Sequence, residues 1–181
     1  MRFSPPLLMP LALAGAFGCA AGARPEASTG RPVPPAATAR MVNGQGQPIG
    51  TVSVVQSKFG GLLVLKLAGV PPGTHGLHLH TAGVCEPPTF ASAGPHLNPA
   101  GREHGARNPK GPHLGDLPNV TARADGTIDT SLALRTELLG ADVIGSGATA
   151  RALVLHARAD DMSTDPSGNS GDRIACGVLG R

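Results

Sequence analysis

Residues 49–67 read IGTVSVVQSKFGGLLVLKL, and this stretch sets the fold. Ile49–Val55 and Leu62–Leu67 are β-branched or alternating apolar runs, the signature of strands rather than helices. Gly44-Gln-Gly46, Gly60-Gly61 and Pro71-Pro72-Gly73 punctuate them as turns. The same rhythm continues outward. Further strand-like runs lie at Gly76–His80, Val120–Ala124, Thr127–Leu134, Thr149–His156 and Arg173–Leu179. Asp125-Gly126 is a hairpin signal between two of them. With no convincing long helix, short strands joined by turns predict an antiparallel sandwich or barrel. The 26 Gly and 18 Pro among 181 residues also argue against a helical bundle.

Composition removes some functions. Four Phe, no Trp and no Tyr leave little for stacking on nucleic-acid bases. The net charge of +3 is local. Residues 1–40 hold Arg2, Arg24, Arg31 and Arg40 against Glu26, and residues 41–181 balance to zero. A basic domain surface for nucleic acid is therefore not expected.

Residues 1–23 read as an export signal. Arg2 precedes an uncharged run from Phe3 to Ala23, and Pro5, Pro6 and Pro10 make that run a poor permanent membrane helix. Ala16-Phe17-Gly18-Cys19 is similar to a bacterial lipoprotein cleavage box, which would limit the signal to 1–18 and lipidate Cys19. Cleavage after Ala21-Gly22-Ala23 is the alternative. Residues 24–40 are rich in Pro, Ala and polar residues without an apolar period. They read as a flexible linker leading to a domain at 41–181. No later run is apolar for long enough to span a bilayer.

The chemistry lies in the histidines. Period two puts His78 and His80 on one strand face and Leu77 and Leu79 on the other. Alone, that pair also fits a solvated strand face. The segment 94–118 holds ten Gly or Pro in 25 residues and carries His96, His104, His113 and Asp116. Three imidazoles and a carboxylate make a complete tetrahedral zinc set. His156 ends another strand, and copper(II) accepts imidazole in tetragonal sites. An all-histidine cluster beside one containing an Asp would sort copper from zinc. No H-E-x-x-H, G-x-S-x-G or phosphate loop is present.

The segments GLHLH (76–80), GPHLNPAGREHGARNPKGPHLGDLPNVTA (94–122), LVLHARADD (153–161) and GNSGDRIACGVL (168–179) resemble copper/zinc superoxide dismutases of the secreted bacterial type. The resemblance covers residues 41–181. It implies a Greek-key β-barrel or sandwich of about eight strands with two long functional loops. It implies copper ligands His78, His80, His96 and His156, and zinc ligands His96, His104, His113 and Asp116, with His96 shared. Asp160 matches a carboxylate that fixes one copper-side and one zinc-side ring, here His78 and His104. Arg173 matches an arginine that attracts and orients a small anion, and His75 a fold-supporting position. Cys85 and Cys176 match a disulfide, which export would keep oxidised; Cys19 remains as the odd cysteine.

The implied activity converts superoxide to oxygen and hydrogen peroxide by copper redox cycling. His96 would carry a proton and zinc would serve structure. The expected partners are superoxide and, through a lipid anchor alone, a membrane; a homodimer is left open. The expected place is the periplasm, the membrane surface or the exterior, in antioxidant defence. Two departures stand out. The loop from His96 to Asp116 lacks the insertions of many bacterial members. Residues 161–173 are short and lack the Lys and Glu that help steer superoxide in other members.

Overall fold

The computed structural model describes residues 1, 35–140, 143–145 and 147–180. The export signal, Cys19 and most of the linker lie outside the described residues. The strands are β1 (Ala37–Asn43), β2 (Pro48–Ser57), β3 (Gly60–Leu67), β4 (Gly73–His75), β5 (Leu77–His80), β6 (Val120–Ala122), β7 (Ile128–Leu134), β8 (Arg151–His156) and β9 (Arg173–Leu179). Seven form an antiparallel sheet in the order β5-β8-β9-β1-β2-β3-β7, and β4 pairs with β6. The described helical elements are three 3-10 turns of three or four residues.

The opening stretch is the hairpin β2–β3, with Val52 opposite Leu65 and Val54 opposite Leu63. These four side chains are buried, while Thr51 and Lys66 on the other face are exposed. That alternation fixes the register, because a one-residue slip would turn Leu63, Leu65 and Leu67 outward. Leu77, Leu79, Leu153 and Leu155 bring β5 and β8 into the same core.

Two expectations change. Residues 37–40, read as the end of the linker, form the first half of β1. Ala37, Ala39 and Met41 are buried between exposed Thr38 and Arg40, and the strand pairs with β2. Alanine is too weakly apolar for this alternation to show in the sequence; strand pairing decides it. Asp125-Gly126 does form a turn, with the Thr127 N–H on Asp125 Oδ1 at 2.9 Å and Gly126 at φ 78°. The flanking strands then part. β6 joins β4, and β7 joins β3.

A second, smaller core lies on the other face of β8 and β9. Phe90, Ala93, Ala152, Val154 and Cys176 pack together there with Val42 and Cys85. The Cys85–Cys176 disulfide, with Cα atoms 5.6 Å apart across 91 residues of sequence, ties this loop to β9. Phe90 is fully buried and sits in the left-handed region at φ 54°, a conformation a bulky residue keeps only when its surroundings over-determine it. Phe90→Ala should cost about 3–5 kcal/mol of stability, read by urea unfolding. Reducing the disulfide should cost about 2–5 kcal/mol, read in the same assay.

Candidate metal centre

β5 supplies His78 and His80, and it is buried on both faces. The two histidines are therefore not on a solvated face: both rings are fully enclosed. The enclosure comes from the 94–118 segment, whose two ends run along β5. Leu79 N–H donates to Gly115 O at 2.9 Å, and Leu97 N–H donates to Leu79 O at 2.8 Å. Gly115 N–H closes the set on Leu97 O at 2.8 Å. Isolated bridges then put His80 beside His96 and His78 beside Asp116. On the other side β8 pairs with β5, and His156 N–H donates to Gly76 O at 2.9 Å. Residues up to 80 positions apart thus converge without a helix.

Six imidazoles meet in two adjoining clusters. One nitrogen each from His78, His80, His96 and His156 falls within a 4.8 Å span. In the other cluster, Asp116 Oδ1 lies 3.0 Å from His96 Nδ1, 3.1 Å from His104 Nδ1 and 3.3 Å from His113 Nδ1. His78 also approaches this second group, but its Nε2 is taken by the Asp160 carboxylate at 2.8 Å.

The other nitrogens are held by the protein. Asp160 receives His78 Nε2 at 2.8 Å on Oδ2 and His104 Nε2 at 3.0 Å on Oδ1. His80 Nδ1 donates to Gly94 O at 2.8 Å, and His156 Nδ1 to Gly171 O at 3.0 Å. This leaves His78 Nδ1, His80 Nε2 and His156 Nε2 buried without a hydrogen bond, and His104 Nδ1 with only the Asp116 carboxylate 3.1 Å away. Buried polar atoms are rarely left so. Aimed inward with their outer nitrogens fixed, they have the arrangement of metal-ligating imidazoles, whose second nitrogen is typically held by a carboxylate or carbonyl. An all-nitrogen set suits copper, and a set of imidazoles with one carboxylate suits zinc.

The copper/zinc superoxide dismutase family model matches residues 49–179. The chain belongs to the copper/zinc superoxide dismutase family. Superoxide dismutase [Cu-Zn] 2 of Aquifex aeolicus is 39% identical over 154 residues, covering 79% of this chain and 85% of that one. The crystal structure of a superoxide dismutase-like protein from Bacillus subtilis superposes with TM-score 0.71 at 36% identity, over 78% of this chain and 97% of that one. The copper/zinc superoxide dismutase from Brucella abortus gives 0.65 at 29% identity, over 78% and 97%.

Within this family centre, burial sets the charge states. It pushes His80 down to about 2 and His156 to about 3, with the Arg173 charge adding to the effect. Burial likewise lowers His96 to about 4, against the pull of Asp116. These imidazoles are neutral at pH 7, with a lone pair free. Burial alone would raise Asp116 and Asp160, yet the histidines and backbone N–H groups around them hold both carboxyls well below the usual range.

Arg173 is half-buried and donates from Nη1 to Phe90 O at 2.7 Å and from Nη2 to Gly94 O at 2.8 Å. Gly94 O therefore holds both His80 and Arg173. His75 stands apart from both clusters, its nitrogens 2.8 Å from His156 O and Pro71 O.

The sequence reading missed two groups. Asn119 pairs its amide with the Asp160 backbone, donating to Asp160 O and accepting from Asp160 N–H, each at 2.9 Å. The Gly94 and Gly171 carbonyls carry no residue-type signal. Gly168, at φ 63°, lies so near that an added Cβ would overlap the Asp160 carboxylate and come 2.7 Å from His104 Nε2. Gly168→Ala should displace Asp160 and weaken metal retention in both clusters about 10–100-fold, the usual effect of losing an outer-shell partner. Chelator competition with each metal measures it; unchanged retention would mean that Asp160 does not set the two rings.

Proposed function

We propose that the chain dismutates superoxide outside the cytoplasm, two anions and two protons giving one oxygen and one hydrogen peroxide. The observation that carries this reading is a pair of adjoining clusters sharing His96, with an anchored arginine beside the all-histidine one. His78, His80, His96 and His156 would hold copper. His96, His104, His113 and Asp116 would hold zinc. Three Nδ1 atoms grouped around one Asp116 oxygen support His113, rather than His78, as the third zinc-side imidazole. Copper when bound supplies a one-electron redox couple, and zinc a fixed charge that orders the loop.

The chain's own residues do the rest. Arg173 keeps donors beyond the two spent on Phe90 and Gly94, and these can bind and orient a small anion. His96 has Nδ1 on Asp116 at 3.0 Å. Its Nε2 is the atom at which a proton can be held for delivery to peroxide. The buried walls exclude bulk water from the imidazoles. The disulfide and the signal-like residues 1–23 support export, and Cys19 supports a lipid anchor, with residues 24–36 as the tether.

His80→Ala should abolish dismutase activity and copper retention while zinc stays bound. His96→Ala should impair both metals. Full turnover in His80→Ala would reject the ligand set, and copper binding without turnover in the unaltered chain would favour a non-catalytic metal-binding role.

Local positive potential raises anion on-rates by about 10-fold or more and is screened by salt. Arg173→Ala should therefore lower kcat/KM by about that factor with copper retained. Arg173→Lys should recover part of it, and Arg173→Glu should be slowest, with a rate that does not fall as salt rises. Mass spectrometry of the mature N-terminus should find lipid on Cys19; a start at Arg24 would mean ordinary secretion and leave the enzymatic reading intact.

A further inference from the structure

One zinc-side ring has its outer nitrogen on neither Asp160 nor a carbonyl already described. His113 turns Nδ1 toward Asp116, and its Nε2 faces Asp165 Oδ1 at 3.7 Å. The same Asp165 oxygen accepts the backbone N–H of His104 at 2.6 Å. We propose that Asp165 is a positioning residue for the zinc-side histidines, holding the His113 ring from behind by its charge and the His104 backbone by a hydrogen bond. This rests on reading His104 and His113 as zinc ligands.

Asp165 is held in place by the loop that carries it. The Asp161 carboxylate gathers Ser163 N–H at 2.9 Å, Thr164 N–H at 2.8 Å, the Thr164 hydroxyl at 2.7 Å and Asn169 Nδ2 at 3.0 Å. Gly168 N–H closes on Thr164 O at 2.6 Å. The compact loop then docks on the zinc-side segment, where Arg107 N–H donates to Met162 O at 2.8 Å and Asn108 Nδ2 to Ser163 O at 3.4 Å. Gly105 meets Met162 so closely that a side chain there would strike its backbone. A short loop, tied internally and pressed onto residues 104–108, thus delivers a single carboxylate to two adjacent ligands. Asp160 meets the His104 ring more directly, by a hydrogen bond from Nε2 at 3.0 Å. A carboxylate behind a ligating imidazole fixes the ring and raises its basicity, and its loss typically costs 10–100-fold in metal affinity.

The test uses the full mature chain loaded with zinc alone. Asp165→Asn keeps an oxygen for the His104 N–H and removes the charge; Asp165→Ala removes both. Zinc loss into excess chelator should accelerate about 10–100-fold in Asp165→Ala and retain most of that increase in Asp165→Asn. Asp129→Asn, in the exposed Lys66–Asp129 pair on β3 and β7, serves as the surface-charge control and should match the unaltered chain. In imidazole 15N–1H spectra, the His113 Nε2–H signal should shift or broaden in both Asp165 variants, while that of His104 stays in Asp165→Asn. Wild-type rates and spectra in both variants would overturn the proposal. Full rescue by Asp165→Asn would reduce Asp165 to a loop cap and overturn its role at His113. An unaltered chain that holds no zinc would overturn the zinc reading itself, and that result is visible before any variant is compared.

Discussion

The molecule is organised around the nitrogen atoms of six enclosed imidazoles. A buried polar atom left without a partner costs roughly 1–3 kcal/mol, so each ring needs its outer nitrogen met. Asp160 meets two of them, and the carbonyls of Gly94 and Gly171 meet two more. Each bond selects a tautomer and fixes a ring plane. What remains is a set of inward nitrogens, His78 Nδ1, His80 Nε2 and His156 Nε2, that the protein leaves unmet. A fold selected for stability alone would fill that space with aliphatic side chains. This one keeps a destabilising concentration of lone pairs, and a cation is the natural partner of such a set.

The scaffold meets that constraint by using β5 twice. Its leucines enter the main core, while its histidines are covered by a loop whose ends bond to Leu79 on both its N–H and its C=O. The disulfide does more than restrict the unfolded chain. It anchors the segment in which buried Phe90 precedes Gly94, and the carbonyls of those two residues hold Arg173. Because Gly94 O also accepts from His80, a shift of this loop moves His80 and the arginine together. Packing in the small outer core is thereby coupled to the geometry of the site.

Most of this was legible in the sequence where residue type carries the chemistry. The hairpin at 49–67 shows as apolar alternation, and His78 and His80 share a face by period two. The rest was hidden for physical reasons. The β1 strand starts among alanines, whose small transfer energy hides a buried face. The paths of β6 and β7 after Gly126 depend on which distant strand pairs with each, which no local pattern encodes. Carbonyl groups are common to every residue, so the roles of Gly94 and Gly171 leave no mark. Asn119 reads as a turn residue until its amide is seen paired with the Asp160 backbone.

The charge balance follows from the same burial. Residues 41–181 carry equal numbers of acidic and basic side chains, so the domain offers little net field to an anion. Its field is local. Arg173 is held against the centre by two carbonyls, where partial burial makes its own charge harder to sustain and correspondingly less screened by solvent. That charge acts in two directions. Toward solvent it favours a small anion. Toward the protein it adds to burial in keeping His80 and His156 deprotonated, which preserves the lone pairs a metal needs. An arginine placed farther out would lose both effects with distance and salt. One carbonyl, Gly94 O, sets how close it stands to the ring it keeps neutral.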